Sequence, residues 1–379
     1  MDLNAVRERI NAIDDQIVDL FVERMQAAAD VASAKAEKNL PVLDLRREQA
    51  VLEKVMERAG EEFEIYINKL YQTIFDISKS YQAGILTKET ELSEEILKNI
   101  SNPRMEFPRK AVVACQGVEG SYAARACDRL FALPSKMYFS NFESVFNAVE
   151  SGLCKYGVLP IENSSAGSVT EVYDLMVRHK FYIVKSIKLH ISHALLAKPG
   201  VKQEDIKEVV SHTQALQQCS NFLKANPNIK VTVFENTASA AKYVAESDRT
   251  DLAALSSTDC AKLYGLHVLQ DGVQNNENNY TRFICIAKDM EIYAGSNRIS
   301  LMLSVDHRPG SLHEMIGKFA CRGINLCKLE SRPIPGKDFE FRFYFDLDGT
   351  VFSPETMTVL KDIEQAAESL SFLGCYSEV

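Results

Sequence analysis

No apolar run in the 379 residues approaches the ~18 that a membrane-spanning helix needs, so no membrane partner is expected. Metal-ligand spacings are also missing. There is no CxxC pair and no HExxH, and neither a metal nor a cofactor is expected. Long-period repeats and low-complexity tracts are absent. Positive charge is in deficit, with 43 Lys+Arg against 52 Asp+Glu and a net charge of -9. A nucleic-acid partner held by phosphate neutralisation is therefore not expected, whereas an anionic small substrate needs only a few local cations. The opening MDLNAVRERINAIDD is charged and periodic, unlike a signal peptide. The nine cysteines are odd in number and scattered, which fits reduced, buried thiols in a cytoplasmic protein.

What remains is ordinary globular composition, 46% apolar and 25% charged, long enough for two or three domains. Residues 1–86 contain almost nothing that breaks a helix. Val6, Ile10, Ile13, Ile17 and Leu20 recur at steps of four and three, the seam of a long amphipathic helix reaching about Lys38. Asn39-Leu40-Pro41 ends it. A second helix starts near Asp44 and ends near Gly60, and a third runs from about Glu62 to Gln82 and stops near Gly84. A helix of ~33 residues is ~50 Å long, so the two short helices cover only part of it. A second copy is expected to cover the rest, giving an intertwined helical dimer. Residues 87–107 read as a linker with a short helix over Ser93–Asn99.

Residues 108–290 alternate short strands with helices, the α/β pattern. Strands are expected at 111–115, 156–159, 182–184, 208–211, 231–234, 253–255 and 283–287, with helices over Gln214–Lys224 and Ala238–Glu246. From 297 to 379 the order becomes βαββαβ, the ferredoxin-like plan.

Chemistry-bearing side chains fall in all three regions. Arg24 and Lys35, 11 residues apart, lie within ~20° of each other around the helix and ~16 Å along it. Arg7 is turned away by roughly 100° and lies ~25 Å from Arg24, so one chain cannot bring all three to a compact ligand. In an antiparallel dimer, Arg7 of one copy completes the site of the other. Arg47 and Glu48 sit on the second helix, and Ser78 and Gln82 share a face of the third. Taken singly, each is an ordinary solvated or capping residue. As a set, Arg7, Arg24, Lys35, Asp44, Arg47, Glu48, Ser78 and Gln82 resemble, in order and spacing, the all-helical chorismate mutases. That resemblance implies rearrangement of chorismate to prephenate. It casts Lys35 and Gln82 as donors to the ether oxygen, and Arg24 and a partner's Arg7 as carboxylate grips. Glu48 would bind the hydroxyl beside Asp44, with Arg47 and Ser78 in support.

Four motifs mark the α/β region. Gln116-Gly-Val-Glu-Gly-Ser-Tyr122 lacks both GxGxxG and GK[ST], and reads as a tight strand-to-helix turn with room for an anion. The others are Pro160-Ile-Glu-Asn-Ser-Ser-Ala-Gly-Ser-Val169, Ser211-His-Thr-Gln-Ala-Leu-Gln-Gln-Cys219 and Asn279-Tyr-Thr-Arg-Phe283. The first three lie at strand ends, where open α/β sheets bind ligands. In this order the four resemble prephenate dehydratase, with Thr213 where that family usually has proline. The resemblance implies a two-lobed, periplasmic-binding-protein-like fold and conversion of prephenate to phenylpyruvate. Thr281 is implied as the key hydroxyl, and Asn163, Ser164, Ser211 and Gln218 as substrate contacts. Arg282 pairs with a substrate carboxylate or braces the cleft, and Glu162 participates or is structural.

In the last region, Arg308-Pro-Gly310-Ser311-Leu312 and Glu330-Ser331-Arg332-Pro333 resemble a regulatory ACT domain whose effector is phenylalanine. The resemblance implies Gly310, Ser311, Leu312, Asn325, Glu330, Ser331 and Arg332 as effector contacts between paired copies. Together the regions resemble the bifunctional P-protein family of phenylalanine biosynthesis. Its implied layout is a mutase domain at 1–86, a linker at 87–107, a dehydratase domain at 108–290 and an ACT domain at 297–379. Chorismate, prephenate and phenylalanine are the implied small-molecule partners, and a homodimer or tetramer the implied assembly. The alternative is a monofunctional prephenate or arogenate dehydratase with a helical dimerisation arm.

Overall fold

The computed structural model describes residues 2–37, 44–86, 89–101, 104–334, 336 and 340–379. Four helices open the chain: α1 (Leu3–Glu37), α2 (Leu45–Ala59), α3 (Glu64–Leu86) and α4 (Glu91–Ile100). The expected stop at Asn39-Leu40-Pro41 lies outside the described residues. Asp44 caps α2, accepting the Arg47 backbone N–H at 3.1 Å. Gly60, at φ 76°, ends it. α3 does not stop near Gly84 but continues through it to Leu86.

The next segment alternates as β1 (Lys110–Gln116), α5 (Tyr122–Leu130), β2 (Leu133–Phe139), α6 (Phe142–Glu150), β3 (Tyr156–Asn163), β4 (Gly167–Ser168), α7 (Thr170–His179) and β5 (Tyr182–His190). It continues as β6 (Ala194–Ala197), β7 (Glu208–His212), α8 (Thr213–Gln218), α9 (Ser220–Ala225), β8 (Lys230–Phe234), α10 (Thr237–Glu246), β9 (Leu252–Ser256), α11 (Thr258–Tyr264), β10 (His267–Gln270) and β11 (Tyr280–Ala287). The last part is β12 (Arg298–Ser304), α12 (Ser311–Ala320), β13 (Asn325–Pro333), β14 (Phe341–Asp348), α13 (Pro354–Ala366) and β15 (Ser369–Glu378), in strand order β13-β14-β12-β15. The chain forms two compact units. One joins Met1–Lys98 to Leu301–Leu370, and the other joins Asn99–Ser300 to Ser371–Val379.

In the first unit the helices leave much apolar surface uncovered. Only Ala28 and Ala32 of α1 are buried, while Ile10, Ile13, Ile17 and Leu20 remain 45–64% exposed. α1 and α2 each pack on α3. α12 and α13 pack on α3 as well.

The second unit is two lobes. One sheet runs β5-β11-β3-β1-β2, the other β10-β6-β9-β7-β8. The chain passes between them twice, at 191–193 and 271–279. β1 pairs in parallel with β2 and β3, while β11 lies antiparallel between β3 and β5. Val158, Phe283 and Cys285 are core residues of the first lobe, and Val210 and Leu255 of the second. Gly374 lets β15 lie against β5, because a Cβ there would overlap the Ile183 carbonyl oxygen.

Seven cysteines are buried, whereas Cys321 and Cys327 are exposed, contrary to the uniform burial expected. No helix among the described residues is long and apolar enough to cross a membrane. No group of three or more potential ligands among them forms a metal-binding cluster.

Glu208 fastens the β7–β8 edge. It accepts from Thr232 Oγ1 at 2.6 Å and pairs with Arg249 at 2.8 Å and Lys230 at 3.3 Å. Those donors hold its pKa down, from an ordinary 4.5 to about 2. A depressed carboxylate contributes stability that is complete above 4.5 and lost as pH falls toward about 2. Glu208→Gln is therefore expected to flatten the fall of the urea midpoint across that window. An unchanged slope would refute the assignment.

Candidate active site

The lobes of the second unit enclose a cavity of about 210 Å³. Its wall includes Tyr122, Asn163, His193, Gln218, Asn236 and Thr281. Strand register creates this meeting. Thr281 on β11 lies opposite Asn163 on β3, so both point to one face of the sheet. Asn163 Nδ2 donates to Thr281 Oγ1 and to Asn279 Oδ1, each at 2.9 Å. Its Oδ1 accepts the backbone N–H groups of Ser165 and Ala166 at 3.0 and 2.9 Å, which fixes the amide's orientation. Asn279 Nδ2 donates to Gln218 Oε1 at 3.1 Å, and Gln218 Oε1 also meets His193 Nε2 at 3.0 Å. Since that oxygen can only accept, His193 carries its proton on Nε2 when neutral. Burial lowers the His193 pKa, which favours that neutral form. Its Nδ1 is buried without a hydrogen-bond partner among the described residues. None of the cavity's described lining residues is lysine or arginine. The first turns of α5 and α10 reach the wall at Ser121–Tyr122 and Asn236–Thr237.

Other expected contacts of this region lie elsewhere. Ser211 is fully buried and donates to the Leu255 carbonyl at 2.6 Å, tying β7 to β9 away from the cavity wall. Ser164 accepts the Tyr280 N–H at 2.9 Å and donates to the Asn278 carbonyl at 3.2 Å, bracing the loop before β11. β11 begins at Tyr280, not at Phe283 as expected, so Thr281 and Arg282 are strand residues on opposite faces. Arg282 accordingly points away from the cavity. It pairs with Glu378 at 2.9 Å, donates to Tyr376 at 2.5 Å and lies 3.9 Å from Glu162.

On the helices, Arg24 lies over the Phe75 ring at 5.7 Å and Lys35 is half-buried. Ser78 and Gln82 are buried on α3, with Gln82 Nε2 donating to Ser78 Oγ at 3.2 Å. Gln82 Oε1 is buried with no hydrogen-bond partner among the described residues. Glu48 reaches Lys79 Nζ at 3.7 Å, and Arg47 is exposed. Arg7 is exposed near the far end of α1.

Residues 113–291 match the family model for prephenate dehydratase, and residues 6–83 match that for chorismate mutase type II. The sequence is 33% identical over 383 aligned positions to a bifunctional chorismate mutase/prephenate dehydratase of Escherichia coli, covering 99% of this chain and 96% of that protein. The chain belongs to this bifunctional family. It is also 37% identical over 283 positions to arogenate dehydratase/prephenate dehydratase 1 of Arabidopsis thaliana, covering 70% of this chain and 72% of that one. Among solved structures, the prephenate dehydratase of Arthrobacter aurescens in complex with L-Phe matches at TM-score 0.64 and 27% identity, covering 70% of this chain and 89% of that one.

The C-terminal residues of this family member are less gathered. Gly310 caps α12 at φ 88°, and Ser311 Oγ donates to the Arg308 carbonyl at 3.0 Å. Ser311 and Leu312 line a cavity of about 360 Å³ with Pro309 and Phe341. Asn325 instead donates to Asp348 at 2.7 Å, and Glu330 pairs with Lys328 at 3.3 Å. Glu330, Ser331 and Arg332 follow one another on β13, outside that cavity's lining.

His193 and Tyr122 line the dehydratase cavity, and Asn279 joins Asn163 to Gln218 behind it, without having been expected as site residues. Asn279 sat inside a quoted motif. Tyr122 closes another quoted motif, whereas His193 carries no spacing signal, because its edge-on contact with the Tyr122 ring at 6.3 Å spans α5 and the crossing segment.

Proposed function

We propose that this protein catalyses two successive steps of phenylalanine biosynthesis, chorismate to prephenate and prephenate to phenylpyruvate, and that phenylalanine restrains it. One observation carries the dehydratase assignment: Asn163 donates to Thr281 Oγ1. The threonine oxygen accepts there, so its own proton is left to point into the cavity. In the reaction, the C–CO2 bond breaks and its electron pair aromatises the ring. The ring expels hydroxide, which must take a proton as it leaves. Thr281 supplies the positioned donor for that oxygen, and the Asn163–Asn279–Gln218 relay holds it in place. With no lysine or arginine among the described lining residues, the substrate carboxylates are received by the N-terminal turns of α5 and α10 and their caps, Ser121 and Asn236.

The mutase step needs no proton transfer. The ether C–O bond breaks as a C–C bond forms, and negative charge gathers on the oxygen. Lys35 and Gln82 meet it. Rotating the Gln82 amide turns Nε2 toward the ligand and lets Ser78 Oγ–H donate to Oε1, which satisfies its buried acceptor. Arg24 and a partner's Arg7 hold the carboxylates as bidentate forks. Glu48 takes the hydroxyl, with Asp44 and Arg47 at the head of α2. The exposed apolar seam of α1 supports an intertwined dimer, because a second copy would cover it.

The C-terminal βαββαβ segment is proposed as an ACT-type sensor. Its candidate contacts, Gly310, Ser311 and Leu312 on α12 and Asn325, Glu330, Ser331 and Arg332 on β13, are split over separate elements, which suits an effector held between paired copies. The assembly is a homodimer or tetramer, and its compartment the cytoplasm.

A coupled assay tests the whole reading. Purified protein given chorismate should yield phenylpyruvate, with prephenate as a transient, and added phenylalanine should suppress the yield. Prephenate accumulating unused would refute the dehydratase. Untouched chorismate with prephenate consumed would leave the helices as a dimerisation arm. Consumption of the amino analogue arogenate in preference to prephenate would reassign the substrate.

A further inference from the structure

We propose that Arg322 is a positioning residue for the mutase reaction, holding α3 from the side opposite its active face. The inference rests on the mutase reading of Gln82 and Ser78. Arg322 follows α12 in the turn that leads to β13. Its Nη2 donates to the Ser80 carbonyl at 2.8 Å and its Nε to Ser80 Oγ at 3.2 Å. Ser80 and Gly84 stand two residues beyond Ser78 and Gln82, which places them ~200° away around the helix. The guanidinium therefore grips the back of the helix whose front carries the reactive amide.

Gly84 is the second observation. A glycine inside a helix weakens it, and α3 runs through this one without a break. The reason is local: a Cβ at position 84 would lie 2.6 Å from Arg322 Nη2. The missing side chain is the seat of the guanidinium. Packing around the seat is incomplete, since α3, α12 and α13 border a cavity of about 440 Å³. The polar clamp is thus one of the contacts that set the register of α3 against α12. Glu314 on α12 and Lys79 on α3 line the same cavity, and Arg308, with a smaller contribution from Lys79, holds the Glu314 carboxyl below its ordinary pKa. Lys79 in turn pairs with Glu48. The clamp ends on Ser80, on the helix that carries Ser78 and Gln82. Loss of the clamp changes where Gln82 stands without touching the ligand.

The test uses the full-length protein, with mutase and dehydratase kinetics measured on the same preparation. Arg322→Ala is expected to lower mutase kcat by about 10- to 100-fold, the scale of a small misplacement of a catalytic group. Chorismate KM should stay within about twofold, because a donor acting on the transition state affects kcat. Dehydratase turnover should not change. Arg322→Lys should recover part of the loss, since one ammonium N–H still reaches the Ser80 carbonyl. Gly84→Ala should reproduce the loss by displacing the guanidinium, although alanine strengthens the helix itself. That variant separates positioning from mere stability. Mutase kcat preserved in Arg322→Ala would overturn the proposal. So would a loss accompanied by reduced helicity while Gly84→Ala turns over normally. Gln82→Ala is the reference: if it keeps normal mutase rates, the site reading is wrong and takes this inference with it. If Gln82→Ala is impaired and Arg322→Ala is not, only the positioning role fails.

Discussion

Replacing Thr281 by alanine is expected to lower phenylpyruvate formation from supplied prephenate by about 100- to 1,000-fold, the effect of losing one preorganised donor. Chorismate consumption should be unaltered. The fold should tolerate the change, since one hydrogen bond on β11 contributes about 1 kcal/mol net. Thr281→Ser should keep most of the activity, because the hydroxyl is retained, and lose some, because serine lacks the branched carbon that fixes the rotamer. The direction of the Asn163 bond gives a sharper test. The amide now donates to Thr281 Oγ1, leaving the threonine proton for the substrate. In Asn163→Asp the carboxylate would accept that proton and turn it from the cavity. The variant should fall nearly as far as Thr281→Ala despite keeping every atom of the threonine. Dehydratase turnover within about tenfold of wild type in both variants would contradict a hydroxyl donor, given the usual size of such effects. Parallel loss of mutase turnover would contradict separate sites.

How far the sequence reached depended on whether a feature was local. The helical region was legible because apolar steps of four and three need no tertiary information. Gly84 marks the end of α3 to within two residues, though the helix runs through it to Leu86. Gln214–Lys224 reads as one helix, but the structure breaks it at Cys219 into α8 and α9. β2, β4, β6 and β10 are not among the expected strands. They are short or partly exposed, and their pairing with β1, β3, β9 and β6 respectively defines them more than their own composition does. In the site, Thr281, Asn163 and Gln218 were found through motifs and do meet. The placement of Arg282 turned on where β11 begins, because one residue of strand decides which face a side chain takes. His193 joins the cluster through a crossing segment that no periodicity marks.

The helical site permits a prediction that a monomeric site could not satisfy. Lys35→Ala is expected to raise the mutase barrier by about 2–4 kcal/mol, a loss of roughly 30- to 1,000-fold. Arg7→Ala should also cripple turnover, though Arg7 sits on the exposed end of α1, ~42 Å along the helix from Lys35. No bend of one helix brings the two to a compact ligand. Two chains do so if α1 crosses its copy in the opposite sense, each supplying Arg7 to the other's Lys35. Mixing the two inactive variants under conditions that exchange subunits then restores activity. In a mixed dimer, one site carries both lesions and the other carries none. Random exchange makes half of the dimers mixed, so recovery should plateau near about one quarter of the wild-type rate. A mixture that stays inactive after exchange, with mixed dimers shown by mass, would place Arg7 outside the site. Full independence of the variants, with Arg7→Ala active by itself, would do the same and return the exposed seam of α1 to a purely structural role.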